Sequence, residues 1–204
     1  MDCVKLGQLI LQLRKEKGLT QREIAEQLNI SNKTVSKWEC GKGAPDVSLW
    51  EGLSAILGAD ILKLLQGELN PNHVDTGKID NIRFYVCPNC GNILTSTGKA
   101  NISCCGRRLS PLSAALETTG HEISVEEMDT DYFIVLQHDM SKKHYISFAA
   151  YVYDDRIWFQ RFYPEQSPSF RMPVMKGGGN LYLYCTEDGL FKYSDLKKIM
   201  NKDR

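Results

Sequence analysis

Apolar side chains recur every three or four residues from position 4 to position 66, which is the spacing of amphipathic helices. Breaks in this pattern divide the stretch into five short predicted helices. The breaks fall at Gly18, Asn29, positions 41–43 and Gly58. The next stretch, 67–80, is polar and contains Pro71, which is typical of a linker. The pattern therefore predicts an N-terminal helical domain over residues 1–68 and a linker over 69–83.

From about residue 121 onward, the pattern changes to short runs rich in β-branched and aromatic side chains. Examples of these runs are 132–136, 146–153, 156–163 and 181–185. Several short strands separated by turns are typical of a small antiparallel sandwich, so we predict an immunoglobulin-like β-sandwich over 111–204. The segment before it, 84–110, is rich in Cys and Gly and too short to bury a core of its own. The predicted fold class is multidomain α + β.

Composition narrows the possible classes of function. The 204 residues are 42% hydrophobic and 25% charged, and 25 Lys and Arg balance 25 Asp and Glu, so the formal net charge is zero. That balance argues against a protein held to nucleic acid by bulk charge alone. No stretch approaches the roughly 18 apolar residues of a membrane span, and the N-terminus lacks a signal-peptide core. We therefore expect a cytoplasmic protein without membrane contact, whose thiols stay reduced.

Two of the predicted helices form a helix-turn-helix. Thr20 and Glu23 have the spacing of a capping box, and Asn29 suits the left-handed turn that follows the first helix. Ser31 then caps a second helix, whose outward face carries side chains that suit base edges and phosphates. These side chains are Asn32, Lys33, Ser36 and Lys37. Periodicity alone leaves open a helical bundle that binds protein or no partner.

Three further segments of this region are Leu19-Thr20-Gln21, Val35 to Lys42 with its Trp38-Glu39 pair, and Pro45-Asp46. With them, the region resembles the Cro/C1-type (XRE) helix-turn-helix family. The resemblance implies that the domain binds double-stranded DNA as a homodimer on paired half-sites. It also implies that Gln21 contacts phosphate and that Lys42 lies near the DNA backbone. The full predicted set of DNA-binding residues is Gln21, Ser31, Asn32, Lys33, Ser36, Lys37 and Lys42.

Four of the seven cysteines crowd into nineteen positions, and in a reducing compartment such a cluster indicates a metal rather than disulfides. Cys87-Pro-Asn-Cys90-Gly is a knuckle, and Cys104-Cys105-Gly supplies a second pair of thiolates. Four thiolates form a tetrahedral site for zinc or a single iron, and sulfur alone does not decide between them. The segment resembles the desulforedoxin-type domain, whose CxxCG and CCG motifs hold one iron.

Three of the four histidines lie in the predicted sandwich together with one cysteine. They are His121, His138 and His144, with Cys185. Imidazole and thiolate donors suit iron, zinc or copper, but sequence spacing does not show that these side chains converge. Residues 138–146 resemble the HPMTxxHYI segment of desulfoferrodoxin and neelaredoxin, the superoxide reductases, and 185–190 resemble their CNxHGL segment. The resemblance implies that these side chains hold an iron that gives one electron to superoxide.

The chain departs from the superoxide reductase pattern in three places near this second site. Asp188 stands where the family has a fourth histidine, and its carboxylate could still bind iron. Thr119-Gly120 replaces a Glu-Lys pair, which removes a positive charge that draws the superoxide anion. Ile123 replaces a proline. These changes leave the fold and metal binding in place, but they weaken the expectation of efficient turnover.

Together these features predict a DNA-binding transcriptional regulator with a desulfoferrodoxin-like iron module that senses oxidant or iron status. We expect iron in the sandwich site and iron or zinc in the ribbon site. The expected partners are double-stranded DNA, a second copy of the chain, and superoxide or another oxidant. Two alternatives stay open: a superoxide reductase that carries a helix-turn-helix domain, and a zinc-stabilised DNA-binding protein with no redox role.

Overall fold

The computed structural model describes residues 2–74, 77, 79–116, 120–174, 178–194, 196 and 199. The chain divides into two units, Met1–Pro71 and Asn72–Arg204. The division falls inside the segment 69–83, which the polar composition predicts as a linker. Within the described part of the chain, no helix is long and apolar enough to cross a membrane.

Five helices build the first unit, as the apolar periodicity predicts. They are α1 (Cys3–Glu16), α2 (Gln21–Gln27), α3 (Asn32–Glu39), α4 (Trp50–Leu57) and α5 (Ile61–Gln66). A short 3₁₀ turn, Val47–Leu49, precedes α4, so Asp46 caps this turn rather than α4 itself. The helices share one apolar core, whose fully buried members are Leu6, Ile10, Ile24, Val35, Leu53 and Leu64.

Local hydrogen bonds fix the helix-turn-helix that α2 and α3 form. Thr20 and Glu23 make the predicted capping box at the start of α2. Asn29 adopts the left-handed conformation with φ of 53°. The side chain of Ser31 accepts a hydrogen bond from the amide of Thr34 and so caps α3. These short-range contacts explain why the helix boundaries are predictable from sequence.

The second unit begins with a small ribbon of two antiparallel hairpins. In the first, β1 (Arg83–Val86) pairs with β2 (Ile93–Ser96). In the second, β3 (Ile102–Cys104) pairs with β4 (Arg107–Leu109). The ribbon has a small apolar cluster of its own, in which Tyr85, Cys87 and Leu109 are buried.

The rest of the second unit is a two-sheet β-sandwich. Its strands are β5 (Ala114–Ala115), β6 (Ile123–Met128), β7 (Asp131–Leu136), β8 (Ile146–Tyr153), β9 (Arg156–Arg161), β10 (Ser169–Pro173), β11 (Asn180–Cys185) and β12 (Gly189–Ser194). One sheet has the order β10-β7-β6 and the other the order β5-β12-β11-β8-β9. The pairs are antiparallel, except that the two-residue β5 lies parallel to β12. Both sheets contribute to one core: Ile134 of β7 and Leu183 of β11 are two of its buried members.

The four runs named from the sequence correspond to β7, β8, β9 and β11, and they do not include β5, β6, β10 and β12. Of these, β6, β10 and β12 carry charged residues among their apolar ones, such as Glu126, Arg171 and Lys192. Such short alternating segments give a weak signal in a single sequence.

The ribbon packs on the outer face of the five-stranded sheet. The ring of Phe84 in β1 lies 5.4 Å from that of Phe148 in β8 and 5.3 Å from that of Tyr182 in β11, measured between centroids. Because the sandwich core covers the other face, β8 is buried on both sides. Burial of both faces explains why 146–153 is an almost continuous apolar run rather than an alternating one.

Candidate metal centres and nucleic-acid interface

Helix α3 exposes most of the polar side chains that the sequence predicts for DNA contact. Val35 and Trp38 are 0% and 3% exposed and face the core of the helical unit. Of the predicted set, Ser31, Asn32, Lys33, Lys37 and Lys42 are exposed, whereas Gln21 and Ser36 are half-buried. The exposed face of α3 is therefore polar and basic.

Gln21 has a role inside the helical unit besides its predicted contact with phosphate. Its amide donates to Glu39 at 2.8 Å, and Arg14 of α1 donates to both oxygens of the same carboxylate, at 2.6 and 3.0 Å. Burial alone would raise the pKa of Glu39, but the hydrogen bonds from Arg14 and Gln21 outweigh it and hold this pKa below its usual value. The network joins α1, α2 and α3 and so fixes the position of α3. Sequence reasoning missed it, because 25 residues separate Arg14 from Glu39.

The ribbon brings its four clustered cysteines together. The sulfur atoms of Cys87, Cys90, Cys104 and Cys105 all lie within 4.8 Å of one another. The Cys90 and Cys104 sulfurs are 3.5 Å apart, and the Cys104 and Cys105 sulfurs are 4.0 Å apart. Four sulfurs arranged tetrahedrally at about 2.3 Å from a zinc ion are about 3.8 Å from one another. The four thiols therefore fit one metal ion.

Local hydrogen bonds shift the pKa values of two of these thiols in opposite directions. Those from the backbone amides of Cys90 and Asn89 lower the pKa of Cys87 to about 7, which favours the thiolate that binds metals. The amide of Asn92 also lowers the pKa of Cys90, but hydrogen bonds with the neighbouring thiols outweigh it and raise this pKa to about 12. Cys105 and Gly106 have φ of 50° and 72°, so a left-handed turn follows Cys104. The side chain of Asn92 donates to the sulfur of Cys104 at 3.7 Å.

A second group of ligands lies at the ends of sandwich strands. Its members are His121, His138, His144, Cys185 and Asp188, and each offers a ligand atom within 4.8 Å of the others. The first precedes β6, the next two lie between β7 and β8, and the last two lie at the end of β11 and in the turn to β12. The structure thus brings together all five side chains that the resemblance to superoxide reductases singles out.

The distances within this second group match a cage around one ion. Nε2 of His144 lies 3.1 Å from Nε2 of His138 and 2.8 Å from Oδ2 of Asp188. The same Asp188 oxygen lies 3.3 Å from Nε2 of His121 and 3.3 Å from the sulfur of Cys185. Nitrogen or oxygen donors at about 2.1 Å from an ion are about 3.0 to 3.4 Å apart in octahedral or tetrahedral geometry. The mixed nitrogen, sulfur and oxygen donors therefore fit a transition-metal ion.

This second group is buried on one side and open on the other. Cys185 is fully buried, whereas the side chains of His144 and Asp188 are 34% and 46% exposed. Burial raises the pKa of the Cys185 thiol to about 11, and burial together with the neighbouring histidines lowers the pKa of His138. A hydrogen bond with the thiol of Cys185 lowers the pKa of Asp188. At neutral pH the group offers a neutral His138, an ionised Asp188 and a thiol whose ionisation a bound cation would favour.

The three departures from the superoxide reductase pattern differ in their structural effect. Asp188 contacts both His121 and His144, so it keeps a donor atom in the cage. Ile123 is buried at the start of β6 and contributes to the core. Thr119 lies outside the described residues, and Gly120 adopts a left-handed φ of 79°.

Known proteins match the two parts of the chain separately. Residues 10–64 match the helix-turn-helix family HTH_3. The chain is 40% identical over 65 residues to the HTH-type transcriptional activator BcrR of Enterococcus faecalis, and this match covers 32% of each protein. It is 26% identical over 120 residues to desulfoferrodoxin of Syntrophotalea carbinolica, and this match covers 55% of this chain and 95% of that protein. The superoxide reductase structure from Treponema pallidum aligns with a TM-score of 0.47 at 13% identity, over 55% of this chain and 96% of that one.

The chain therefore carries an XRE-type helix-turn-helix domain at its N-terminus and is homologous to desulfoferrodoxin over the rest. The resemblances to the XRE family and to desulfoferrodoxin, drawn from the sequence motifs, are confirmed. The chain spans about a third of the length of the activator that it matches. In the described residues, the two groups of metal ligands both lie in the second unit.

Proposed function

We propose that this protein is a transcriptional regulator whose desulfoferrodoxin-like unit binds iron and reports oxidant or iron status to its DNA-binding unit. The observation that carries the proposal is the convergence of His121, His138, His144, Cys185 and Asp188 in a chain that also contains a helix-turn-helix. A mixed cage of this kind suits a redox-active ion, whereas a metal that only stabilises a fold is usually held by four Cys and His ligands.

The DNA-binding part of the proposal rests on α3 and its surroundings. Asn32 suits adenine, and Lys33 and Lys37 suit guanine or phosphate. The residues up to position 70 hold nine basic and nine acidic side chains, so the net charge contributes little to DNA affinity. Specific contacts from individual side chains must supply this affinity. One helix-turn-helix reads a short half-site, so we propose that the protein binds an operator as a homodimer.

The iron-binding part assigns a role to each side chain of the cage. The three histidines and Cys185 would hold the ion, and Asp188 would complete the set from the open side. A bound iron would supply one-electron chemistry at this site. The carboxylate adds a negative charge that a neutral histidine does not, which favours the ferric over the ferrous ion. In the ribbon, the four cysteines would hold iron or zinc.

Coupling between the two units requires only a modest energy. A tenfold change in operator affinity corresponds to about 1.4 kcal/mol of difference between two states of the protein. Oxidation, loss or exchange of the metal would supply this difference by changing how the two DNA-binding domains of a dimer are presented to the operator. Because both groups of ligands lie in the second unit, we propose that an oxidant acts on the metal there.

Superoxide reduction is a second candidate function, because His144 and Asp188 leave the ligand group partly exposed to solvent. The ionised carboxylate of Asp188 would repel the superoxide anion on that side, which favours the sensor over the enzyme. We test superoxide reduction by stopped-flow mixing of the reduced, iron-loaded protein with superoxide. Rates well above those of free ferrous iron would establish an enzyme, whereas rates equal to those of free iron would exclude one.

Metal content and colour test the iron-binding proposal. We expect aerobically purified protein to contain iron by elemental analysis and to absorb visible light through thiolate-to-ferric charge transfer. A colourless protein that contains only zinc would contradict both the sensor and the reductase, and would leave a zinc-stabilised DNA-binding protein.

A further inference from the structure

Thr186 joins the segments that carry two of the proposed ligands. It directly follows Cys185 at the end of β11. Its hydroxyl donates to the carbonyl oxygen of Lys143 at 2.7 Å and accepts from the amide of Tyr145 at 3.1 Å. Its backbone amide donates to the carbonyl oxygen of Tyr145 at 3.0 Å. These three hydrogen bonds hold the residues on both sides of His144.

His144 needs such support because it lies outside the regular strands. It is in the loop between β7 and β8, two residues before β8 begins at Ile146. The pairing of β11 with β8 shifts register between Tyr184 and Cys185, so the regular ladder is interrupted where the ligands begin. The hydroxyl of Thr186 extends the connection between the two strands beyond this point.

Ser141 also contacts His144, but it acts within the loop. Its hydroxyl donates to the carbonyl oxygen of His144 and accepts from the amide of the same residue, both at 3.2 Å. Thr186, in contrast, contacts a segment 43 residues away in sequence. Ser141 therefore shapes the loop, whereas Thr186 fixes the loop relative to Cys185 and Asp188.

We propose that Thr186 is a positioning residue of the sandwich metal site, whose hydroxyl sets the spacing between His144 and the Cys185–Asp188 turn. The inference rests on the proposed metal site and goes beyond it by naming a residue outside the ligand set. The hydroxyl uses both its donor and its acceptor capacity, so serine can replace it and valine, which has the same shape, cannot. Partners that orient a metal ligand typically change metal affinity by about 10- to 100-fold.

The test uses the full chain with Co²⁺ as the probe and compares the wild type with Thr186→Val and Thr186→Ser. Paramagnetically shifted imidazole proton resonances report the sandwich site alone, because the four-cysteine group contains no histidine. Titration with a competing chelator then gives the affinity of this site. Thr130→Val, an exposed threonine in the turn between β6 and β7, is the matched control.

We expect Thr186→Val to bind Co²⁺ about 10- to 100-fold more weakly at this site and to shift the imidazole resonances. Thr186→Ser should stay within about threefold of the wild type, because serine keeps both hydrogen bonds. The inference is overturned if Thr186→Val matches the wild type in affinity and resonances, or if Thr186→Ser is impaired as much as Thr186→Val. A wild-type protein without shifted imidazole resonances would contradict the metal site itself, which separates failure of the proposed function from failure of this inference.

Discussion

The two units of this chain are held together in different ways. The helical unit has one apolar core and a half-buried Arg14–Glu39 ion pair, and its described residues include no group of metal ligands. The ribbon of the second unit buries only Tyr85, Cys87 and Leu109 in its own cluster, and the sulfur atoms of its four cysteines lie within 4.8 Å of one another. We therefore expect the helical unit to be stable without a metal, and the ribbon to need the metal that we propose its four cysteines bind. A change of metal would then alter the second unit without unfolding the first.

Metal removal should affect the ribbon most strongly. We expect chelation, or Cys90→Ser, to abolish hydrogen-exchange protection over 83–109 while protection in α1 to α5 stays unchanged. The structural reason is the small ribbon core, since structural zinc ions supply about 10–16 kcal/mol of apparent binding energy in comparable small modules. Hydrogen exchange followed by mass spectrometry measures both regions in one experiment.

Cys40→Ser is the control for this experiment, because Cys40 is an exposed thiol outside the cluster. It should leave exchange in the ribbon unchanged. A ribbon that stays protected in the metal-free wild type would show that its packing on the sheet suffices, and the contrast between the two units would be lost.

The stability of the helical unit should depend instead on its half-buried ion pair. We expect Glu39→Gln to destabilise this unit by about 3 kcal/mol, because Arg14 loses its charged partner while the side chains stay 13% and 4% exposed. Urea unfolding monitored by helical circular dichroism measures the change, and the metal content should stay that of the wild type. Glu51→Gln, on the exposed side of α4, is the matched control. Loss of metal from the Glu39 variant would contradict the independence of the two units.

A smaller free-energy change is expected when a side chain whose only predicted role is to contact DNA is removed. Lys37→Ala should weaken operator binding by about 1–2 kcal/mol, roughly tenfold, and leave the stability and metal content unchanged. Fluorescence anisotropy at fixed salt measures the affinity. Lys63→Ala in α5 serves as the control, and equal losses for the two variants would indicate that bulk charge, rather than placed contacts, supplies the affinity.

The smallest expected effect is a loss of stability of the helical unit at acid pH. Because hydrogen bonds hold the pKa of Glu39 below the 4.5 of the unfolded chain, this carboxylate stabilises the helical unit fully above pH 4.5. Its contribution is lost as the pH falls through the lower folded pKa. We expect the urea midpoint of the wild type to decrease over this acidic range, and to decrease less in Glu39→Gln. Parallel pH profiles for the two proteins would contradict this assignment.

Local features were predictable from sequence, and long-range geometry was not. The capping box at Thr20 and the left-handed turn at Asn29 depend on neighbouring residues, so the helices follow from the sequence. The ligand types follow from motifs, but their convergence depends on a sheet that pairs β8 with β11, and Cys185 contacts His138 across 47 residues. The contacts of Thr186 and of Glu39 join distant segments, and no spacing along the chain reveals them.

Operator affinity as a function of metal state tests the central claim most directly. Anisotropy titrations at one salt concentration compare the oxidised, the reduced and the metal-free protein on the same operator. We predict that at least one pair of states differs by about tenfold, which corresponds to about 1.4 kcal/mol of coupling between the units. Equal affinity in all three states would contradict the account of this protein as a metal-dependent regulator.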